Sequence, residues 1–167
     1  ALDRGDIKAI GATTTIEYET YIVKDRAFLR RFDRIDVLEP SRDATIQILL
    51  GTIPRIEYKT GIKMINNRFI TTLLMESIVD ATSEYKRVYG LSAMYPDVSL
   101  SVLSGAFSNA LFQNKTEVGI KDVYEAIRDS KRIYPDSRVK ECAAFREKFS
   151  RICEDKVIVL PDVKLEE

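Results

Sequence analysis

Apolar positions in the larger, C-terminal part of the chain follow the spacing of helices. From Pro40 onward they recur at i, i+3, i+4 and i+7 in five successive stretches, as in amphipathic helices. We therefore predict a helical region with short links. Its predicted buried faces are formed by Ile46, Leu49 and Leu50; by Phe69, Ile70, Leu73, Leu74, Ser77, Ile78, Ala81 and Tyr85; by Leu100, Leu103, Phe107, Ala110 and Leu111; by Ile120, Val123, Tyr124 and Ile127; and by Val139, Cys142, Phe145, Phe149 and Ile152.

Local signals mark the ends of these helices. Ser41 is a good N-cap for the first, and Asn66 or Asn67 can cap the second, which should run to about residue 89. Gly61 suits the end of the first helix because glycine adopts the left-handed conformation easily. Pro54 is predicted to kink or interrupt that helix, since proline lacks an N–H group and clashes with the preceding turn.

The first part of the chain has a different pattern. Residues 7–12 are mostly apolar and predict a short buried strand, and residues 33–38 predict another. Between them, Thr14 and Glu17 have the spacing of a capping box at the start of a helix, and residues 26–31 predict a second short helix. Strand, helix and strand indicate α/β character here, so the fold class predicted for the whole chain is α+β, mainly α.

Composition excludes several classes of function. Apolar residues make up 45% of the chain, charged residues 31%, and the formal net charge is zero. Such a chain has no long-range field to attract nucleic acid or an acidic membrane. No apolar run approaches the ~20 residues of a membrane helix. The chain contains no histidine, which excludes histidine-based catalysis and histidine-containing metal sites.

The two cysteines carry a structural prediction. Cys142 and Cys153 are eleven residues apart, about three helical turns, and so share one face of a helix. Two thiols without histidine make a poor zinc site. We predict buried, reduced cysteines in a cytoplasmic protein.

Several short motifs occur in register over about the first 65 residues. Gly11-Ala12-Thr13-Thr14 is followed, sixteen residues after Thr14, by Arg30-Arg31-Phe32. Ala1-Leu2-Asp3-Arg4-Gly5 precedes them, and Glu39-Pro40-Ser41 and Thr45-Ile46-Gln47-Ile48-Leu49 follow. Together they closely resemble one segment of the Clp-type AAA+ ATPases, the ring-forming protein unfoldases.

The resemblance implies roles for three residues of the first part. In this family a polar residue at the strand end senses the ATP γ-phosphate, which corresponds to Thr14 here, although Thr14 can equally serve only as a helix cap. The family's Arg-Arg-Phe supplies arginine fingers to the neighbouring subunit, which implies this role for Arg30 and Arg31. A guanidinium stabilises the charge that develops on the transferred phosphoryl group. The alternative is a solvated basic patch.

The resemblance also implies a helical lid that contacts nucleotide. Ile46 and Leu49 would pack on adenine, although the same spacing fits ordinary lid core. Pro96 and Asp97 match the start of the family's Pro-Asp-Lys motif, whereas Val98 replaces its lysine. The segment at 83–94 is longer than in the family. The expected organisation is the end of an AAA+ large subdomain at 1–39, a helical lid at 40–133, and a helical extension at 134–167 that includes a possible short strand at 156–160.

Two motifs of a complete ATPase do not occur in this sequence. There is no phosphate loop of the form Gly-x-x-x-x-Gly-Lys-Ser/Thr, and no apolar strand ends in Asp-Glu to hold magnesium. We therefore expect the chain to be the C-terminal part of an AAA+ module. By the family's pattern, the parent would bind ATP and Mg²⁺, form a hexameric ring and remodel protein substrates, with a protease or adaptor as a further candidate partner. The chain alone should be inactive and bind no nucleotide. The alternative is a non-catalytic helical interaction module derived from an AAA+ domain.

Overall fold

The computed structural model describes residues 8–90 and 94–163. The chain forms two compact units that divide between Leu38 and Glu39, and each unit is described by itself. Ile7 and the motif at residues 1–5 lie outside the described residues. Within these ranges no helix is both long enough and apolar enough to cross a membrane.

The described part of the first unit contains short helices with polar caps. Helix α1 spans Thr15–Glu17 and leads into a π-helical turn at Tyr18–Ile22, and α2 spans Arg26–Leu29. The capping box of Thr14 and Glu17 is present at the start of α1, as predicted. Asp25 begins α2, where its carboxylate accepts hydrogen bonds from the N–H groups of the second and third residues of the helix, both at 3.0 Å.

The two strands predicted in the first unit were wrong for the described residues. Residues 8–12 and 33–38 have no strand structure. Ile10, Ile35 and Val37 are 85% exposed or more, whereas a buried strand would cover them. A strand exists only when its backbone N–H and C=O groups pair with a neighbour, and no described strand lies beside either segment.

Helices dominate the second unit, in the order that the spacing predicts. Helix α3 spans Arg42–Thr60, α4 spans Arg68–Ala81, α5 spans Asp97–Phe112, α6 spans Ile120–Arg128 and α7 spans Pro135–Asp155, with a 3₁₀ turn at Glu84–Lys86. The prediction of a mainly helical fold is therefore confirmed.

The ends of α3 follow the local signals, but its middle does not. Ser41 caps the helix by accepting the N–H of Ala44 at 3.3 Å, and Gly61 ends it in the left-handed conformation at φ 73°. Helix α3 continues through Pro54, so the predicted interruption was wrong. Ile53 and Ile56, on either side of the proline, both pack against the core, and this packing outweighs one lost backbone hydrogen bond.

A small parallel sheet joins two links between helices. Strand β1 spans Lys63–Met64 and pairs with β2, Glu117–Val118, with Lys63 opposite Glu117. Periodicity did not predict these strands, because two residues are too few to show an alternation. The short strand considered at residues 156–160 is absent; these residues lack strand structure.

The core of the second unit contains most of the predicted apolar faces. All four residues predicted for α6 are buried, as are Leu103, Phe107 and Ala110 of α5. Three predictions were wrong: Phe69 is 68% exposed, Tyr85 is 90% exposed and Leu111 is 52% exposed. Tyr85 lies beyond the end of α4, which stops at Ala81, so the helical spacing no longer applies to it. Phe69 and Leu111 lie within one turn of a helix end, where packing neighbours are fewer.

Both cysteines are buried free thiols on α7, as predicted. Burial raises the pKa of the Cys142 thiol and that of the Cys153 thiol. Cys142 lies next to Phe145 on the face of α7 that packs against α6 and α4. Both thiols are therefore part of the hydrophobic core.

Candidate functional site

Thr14 is fully engaged in the cap of α1. Its hydroxyl accepts a hydrogen bond from the N–H of Glu17 at 3.2 Å and donates one to Glu17 Oε2 at 3.0 Å. The same oxygen, Oε2, also accepts the N–H of Thr14 at 3.2 Å and the hydroxyl of Thr13 at 3.0 Å. These bonds, led by that from the backbone N–H of Thr14, lower the pKa of the Glu17 carboxyl. Both threonines are exposed.

The two arginines at the end of α2 differ in their surroundings. Both are exposed. Arg31 lies just after α2 and reaches back to it, where Nη1 donates to the carbonyl of Ala27 at 2.9 Å. No hydrogen bond or ion pair to the Arg30 guanidinium occurs within residues 8–90 and 94–163. Arg30 can therefore approach an external anion without breaking a hydrogen bond or ion pair to any described residue.

Aromatic contacts support this turn of the chain. Phe28 and Phe32 stack with ring centroids 4.4 Å apart, which packs the residues after α2 against the helix. The guanidinium of Arg34 lies 4.7 Å above the ring of Tyr18 and pairs with Asp36 at 2.7 Å. Its bonds to Asp36 raise the pKa of Arg34 further. Arg34 is thus held in an ion pair of its own and does not extend a free basic patch around Arg30.

The predicted adenine-contacting residues lie inside the helical unit. Ile46 is 6% exposed and Leu49 is fully buried, and both belong to the core cluster of α3, α4 and α5. The position of their side chains is that of ordinary core residues of the second unit. Their role in nucleotide contact stays a prediction.

Pro96 and Asp97 form the start of α5. Pro96 is the N-cap residue and Asp97 is the first helical residue. The Asp97 carboxylate accepts a hydrogen bond from Arg132 Nη1 at 2.9 Å and is 71% exposed. Asp97 therefore connects α5 with the segment after α6, and its exposed carboxylate lies next to a cation. Its predicted role in binding also stays a prediction.

The predicted residues form two separate groups. Thr14, Arg30 and Arg31 belong to the first unit, whereas Ile46, Leu49, Pro96 and Asp97 belong to the second. A cleft of about 310 Å³ between α5 and the end of α6 includes Gly105, Asn109 and Lys131, and none of the predicted site residues lines it. Within the described ranges no group of three or more cysteine, aspartate or glutamate side chains could hold a metal ion.

Sequence reasoning missed a polar cluster at the start of the second unit. The Glu39 carboxylate forms an ion pair with Arg87 and accepts the N–H of Tyr95 at 2.7 Å. Nearby, Arg42 of α3 donates Nε and Nη2 to the two oxygens of Asp80 at 2.6 and 2.8 Å. Burial raises the pKa of the Tyr95 phenol beside this cluster. Glu39 is part of a sequence motif, but no spacing rule links it with a residue 48 positions away.

Comparison with known proteins finds similarity to protein chaperones. No family model matches it. Heat shock protein 100 of Trypanosoma brucei brucei is 32% identical over 124 residues, which are 74% of this chain and 13% of that protein. Chaperone protein ClpB of Corynebacterium efficiens is 31% identical over 146 residues, 87% of this chain and 15% of that protein. The chain thus spans less than a fifth of the length of these relatives.

The fold agrees with a solved member of the same group. Hsp104 of S. cerevisiae, in a complex with casein, superimposes with a TM-score of 0.59 at 28% identity, covering 74% of this chain and 20% of that one. The motifs around Thr14 and Arg30, the helical second unit and these matches agree with one another. The chain belongs to the Clp-type AAA+ family and is similar to a segment of its ClpB and Hsp100 members.

Proposed function

We propose that this chain is part of an ATP-driven protein-remodelling machine in which Arg30 and Arg31 act on nucleotide held by a neighbouring subunit. The observation that carries the proposal is the exposed Arg30 guanidinium, without a partner among the described residues, in a chain similar to ClpB and Hsp100 chaperones over most of its length. A guanidinium in this state loses no contact of its own when it pairs with a phosphate.

The donor groups fit an anionic phosphoryl group. A planar guanidinium can bind two phosphate oxygens at once, and the Thr14 hydroxyl could contact a further oxygen or an attacking water. No described cluster of carboxylates fits Mg²⁺, and the sequence has no phosphate loop. Most contacts to ATP and Mg²⁺ would therefore come from other parts of the machine. Mg²⁺ would neutralise charge on the phosphates where it binds.

The second unit would serve as the lid. In this proposal residues 1–39 end the large subdomain, residues 40–133 form the lid, and residues 134–167 extend it. The packing of α7 supports a structural role for this extension, because Phe145 and Phe149 are buried against the lid core. Ile46 and Leu49 would then stabilise the lid from within, whereas Asp97 lies at its surface.

The assembly would be a ring of identical subunits that acts on protein substrates. An arginine that serves a neighbour's nucleotide requires such an arrangement. Hsp104 of S. cerevisiae has been solved with casein, which suggests casein as a test substrate. A hexamer, and a protease or adaptor partner, belong to the proposal.

The test uses the full-length protein that carries this chain. We expect it to hydrolyse ATP and to bind fluorescent casein more tightly with ATP than without. The Arg30→Ala variant should bind nucleotide but lose turnover. A full-length protein that neither hydrolyses ATP nor responds to it would contradict the proposal and favour a non-catalytic helical interaction module.

A further inference from the structure

The second unit begins with a residue whose carboxylate is bound by two groups of the same unit. Glu39 directly follows Leu38, the last residue of the first unit. Its carboxylate pairs with the guanidinium of Arg87 and accepts the N–H of Tyr95 at 2.7 Å. The side chains of Glu39 and Arg87 are only 26% and 10% exposed. Such a covered, charge-assisted contact is stronger than an ordinary surface ion pair.

The groups that hold Glu39 are themselves fixed. Arg87 Nε donates to the carbonyl of Thr82 at 2.9 Å, and its guanidinium lies 4.7 Å above the centre of the Tyr95 ring. The Tyr95 hydroxyl donates to the carbonyl of Val79 at 2.5 Å. Arg87 also forms a β-bridge with Ile133, which is buried. The partners of Glu39 are thus anchored to α4 and to the segment after α6.

The residues between Glu39 and α3 leave little conformational freedom, so Glu39 is held close to the start of that helix. Pro40 has a restricted φ angle, and Ser41 is the N-cap whose side chain accepts the N–H of Ala44. Only two residues separate Glu39 from the first turn of a helix of nineteen residues. An anchor at Glu39 therefore restrains the direction in which the chain enters the second unit.

We propose that Glu39 is a positioning residue, held by Arg87 and Tyr95, that restrains the link between the two units. Arg87 and Tyr95 both lie between the end of α4 and the start of α5, so this connection provides both partners of Glu39. In the ATPase proposed above, on which this consequence rests, the link sets how the lid follows nucleotide binding. Hinge residues of this kind affect kcat and KM together.

The direct test needs no ATPase activity. Amide hydrogen exchange and ¹⁵N relaxation would be measured by NMR on the 167-residue chain and on Glu39→Ala, Glu39→Gln and Arg87→Ala. We expect the Tyr95 amide to be protected in the parent chain and to exchange at least about tenfold faster in Glu39→Ala. Residues 38, 39 and 41 should gain picosecond-to-nanosecond mobility in Glu39→Ala and Arg87→Ala.

Lys148→Ala is the matched control. Lys148 pairs with Glu76 at 2.9 Å and joins α7 to α4, far along the chain from Glu39. This variant should leave Tyr95 exchange and the mobility of residues 38, 39 and 41 unchanged. Protected amides at Leu103 and Phe107 in every variant would show that the core stays folded. If Glu39→Ala unfolds, Glu39→Gln takes its place. Its amide oxygen can still accept the Tyr95 N–H, whereas its contact with Arg87 is no longer an ion pair. The mobility of residues 38, 39 and 41 is then the quantity that decides.

Two results would overturn the inference. One is a Tyr95 amide that exchanges equally fast in the parent chain and in Glu39→Ala. The other is unchanged mobility at residues 38, 39 and 41 when Arg87 is replaced.

A second measurement separates this inference from the proposed function. In the full-length protein, Glu39→Ala should change both kcat and KM for ATP, whereas a purely structural role would reduce only the amount of active protein and leave KM alone. A full-length protein without ATPase activity would contradict the proposed function, but the NMR result would still decide whether Glu39 restrains the link. An active Glu39→Ala enzyme with unchanged kcat and KM would contradict the positioning role.

Discussion

The hydroxyl of Thr14 and the carboxylate of Glu17 form a closed set of hydrogen bonds, with the hydroxyl accepting from the Glu17 N–H and donating to Oε2. A residue expected to sense phosphate is therefore also part of a capping box. Contact with a phosphate or water would require the hydroxyl to give up its bond to Oε2, and the backbone N–H of Thr14 would then still hold that oxygen. The cap at Thr14 and the proposed contact with a phosphate or water can therefore alternate.

The first prediction concerns the pH dependence of this cap. The pKa of Glu17 is lowered in the folded chain, so the cap contributes stability above the unfolded-state pKa and loses it as pH falls through the folded-state pKa. NMR titration of the Glu17 side chain should show a pKa below the ordinary glutamate range. Thr14→Ala should bring this pKa closer to the ordinary range, and Thr14→Ser should not. Equal pKa values in the Ala and Ser variants would contradict the bonding described here.

The second prediction concerns the arginines of the first unit. In the full-length protein, Arg30→Ala should lower ATP turnover by at least ~10²-fold while nucleotide binding persists, because a finger acts mainly on transition-state charge. Arg30→Lys should be nearly as poor, since a point charge does not reproduce the planar fork. The same assay applied to Arg31→Ala should also show a loss.

Controls for the arginines come from the same helix and from mixed rings. Arg26→Ala removes an exposed arginine of α2 and should change turnover by no more than about twofold, as for a solvated surface charge. Mixing Arg30→Ala subunits with subunits that have intact arginines but a disabled phosphate loop should restore part of the activity. If the double variant of Arg30 and Arg31 retains full turnover, these residues are a solvated patch.

The third prediction compares two leucines of α5. Leu103 is fully buried, so Leu103→Ala should lower the free energy of unfolding by ~2–5 kcal/mol. Leu111, on the same helix, is 52% exposed, and Leu111→Ala should cost less than about 1 kcal/mol. Urea denaturation of both variants measures the difference. Similar losses from the two would mean that the buried face of α5 is assigned wrongly.

The fourth prediction concerns thiol reactivity. Burial raises the pKa of the Cys142 thiol, and the residue has no exposed surface, so little thiolate is available to a reagent. In a Cys153→Ala variant, Cys142 should react with a disulfide reagent at least ~10-fold more slowly when folded than in denaturant. Equal rates in the two states would show that this part of α7 opens readily.

The fifth prediction concerns nucleotide binding by the 167-residue chain itself. Backbone N–H groups and the lysine of a phosphate loop provide most contacts to ATP, and this sequence has no such loop. Calorimetry should therefore detect weak binding or none. Micromolar affinity for ATP would show that the chain holds a nucleotide site of another kind.

Signals that act over three or four residues can be read directly from the sequence. The caps at Thr14, Ser41 and Asn67 and the stop at Gly61 occur as predicted, because each depends on a side chain or a φ angle next to the bond it serves. The buried face of α6 was predicted completely for the same reason: helical geometry alone brings Ile120, Val123 and Ile127 to one side.

Everything that depends on distant partners was decided by tertiary structure. The apolar segments at 8–12 and 33–38 have the composition of strands, yet no described strand pairs with them, and pairing is what makes a strand. Segments as short as β1 and β2 become strands because helix packing brings them together. The pair of Glu39 and Arg87 arises in the same way, since two charges 48 residues apart meet only after the helices between them have packed.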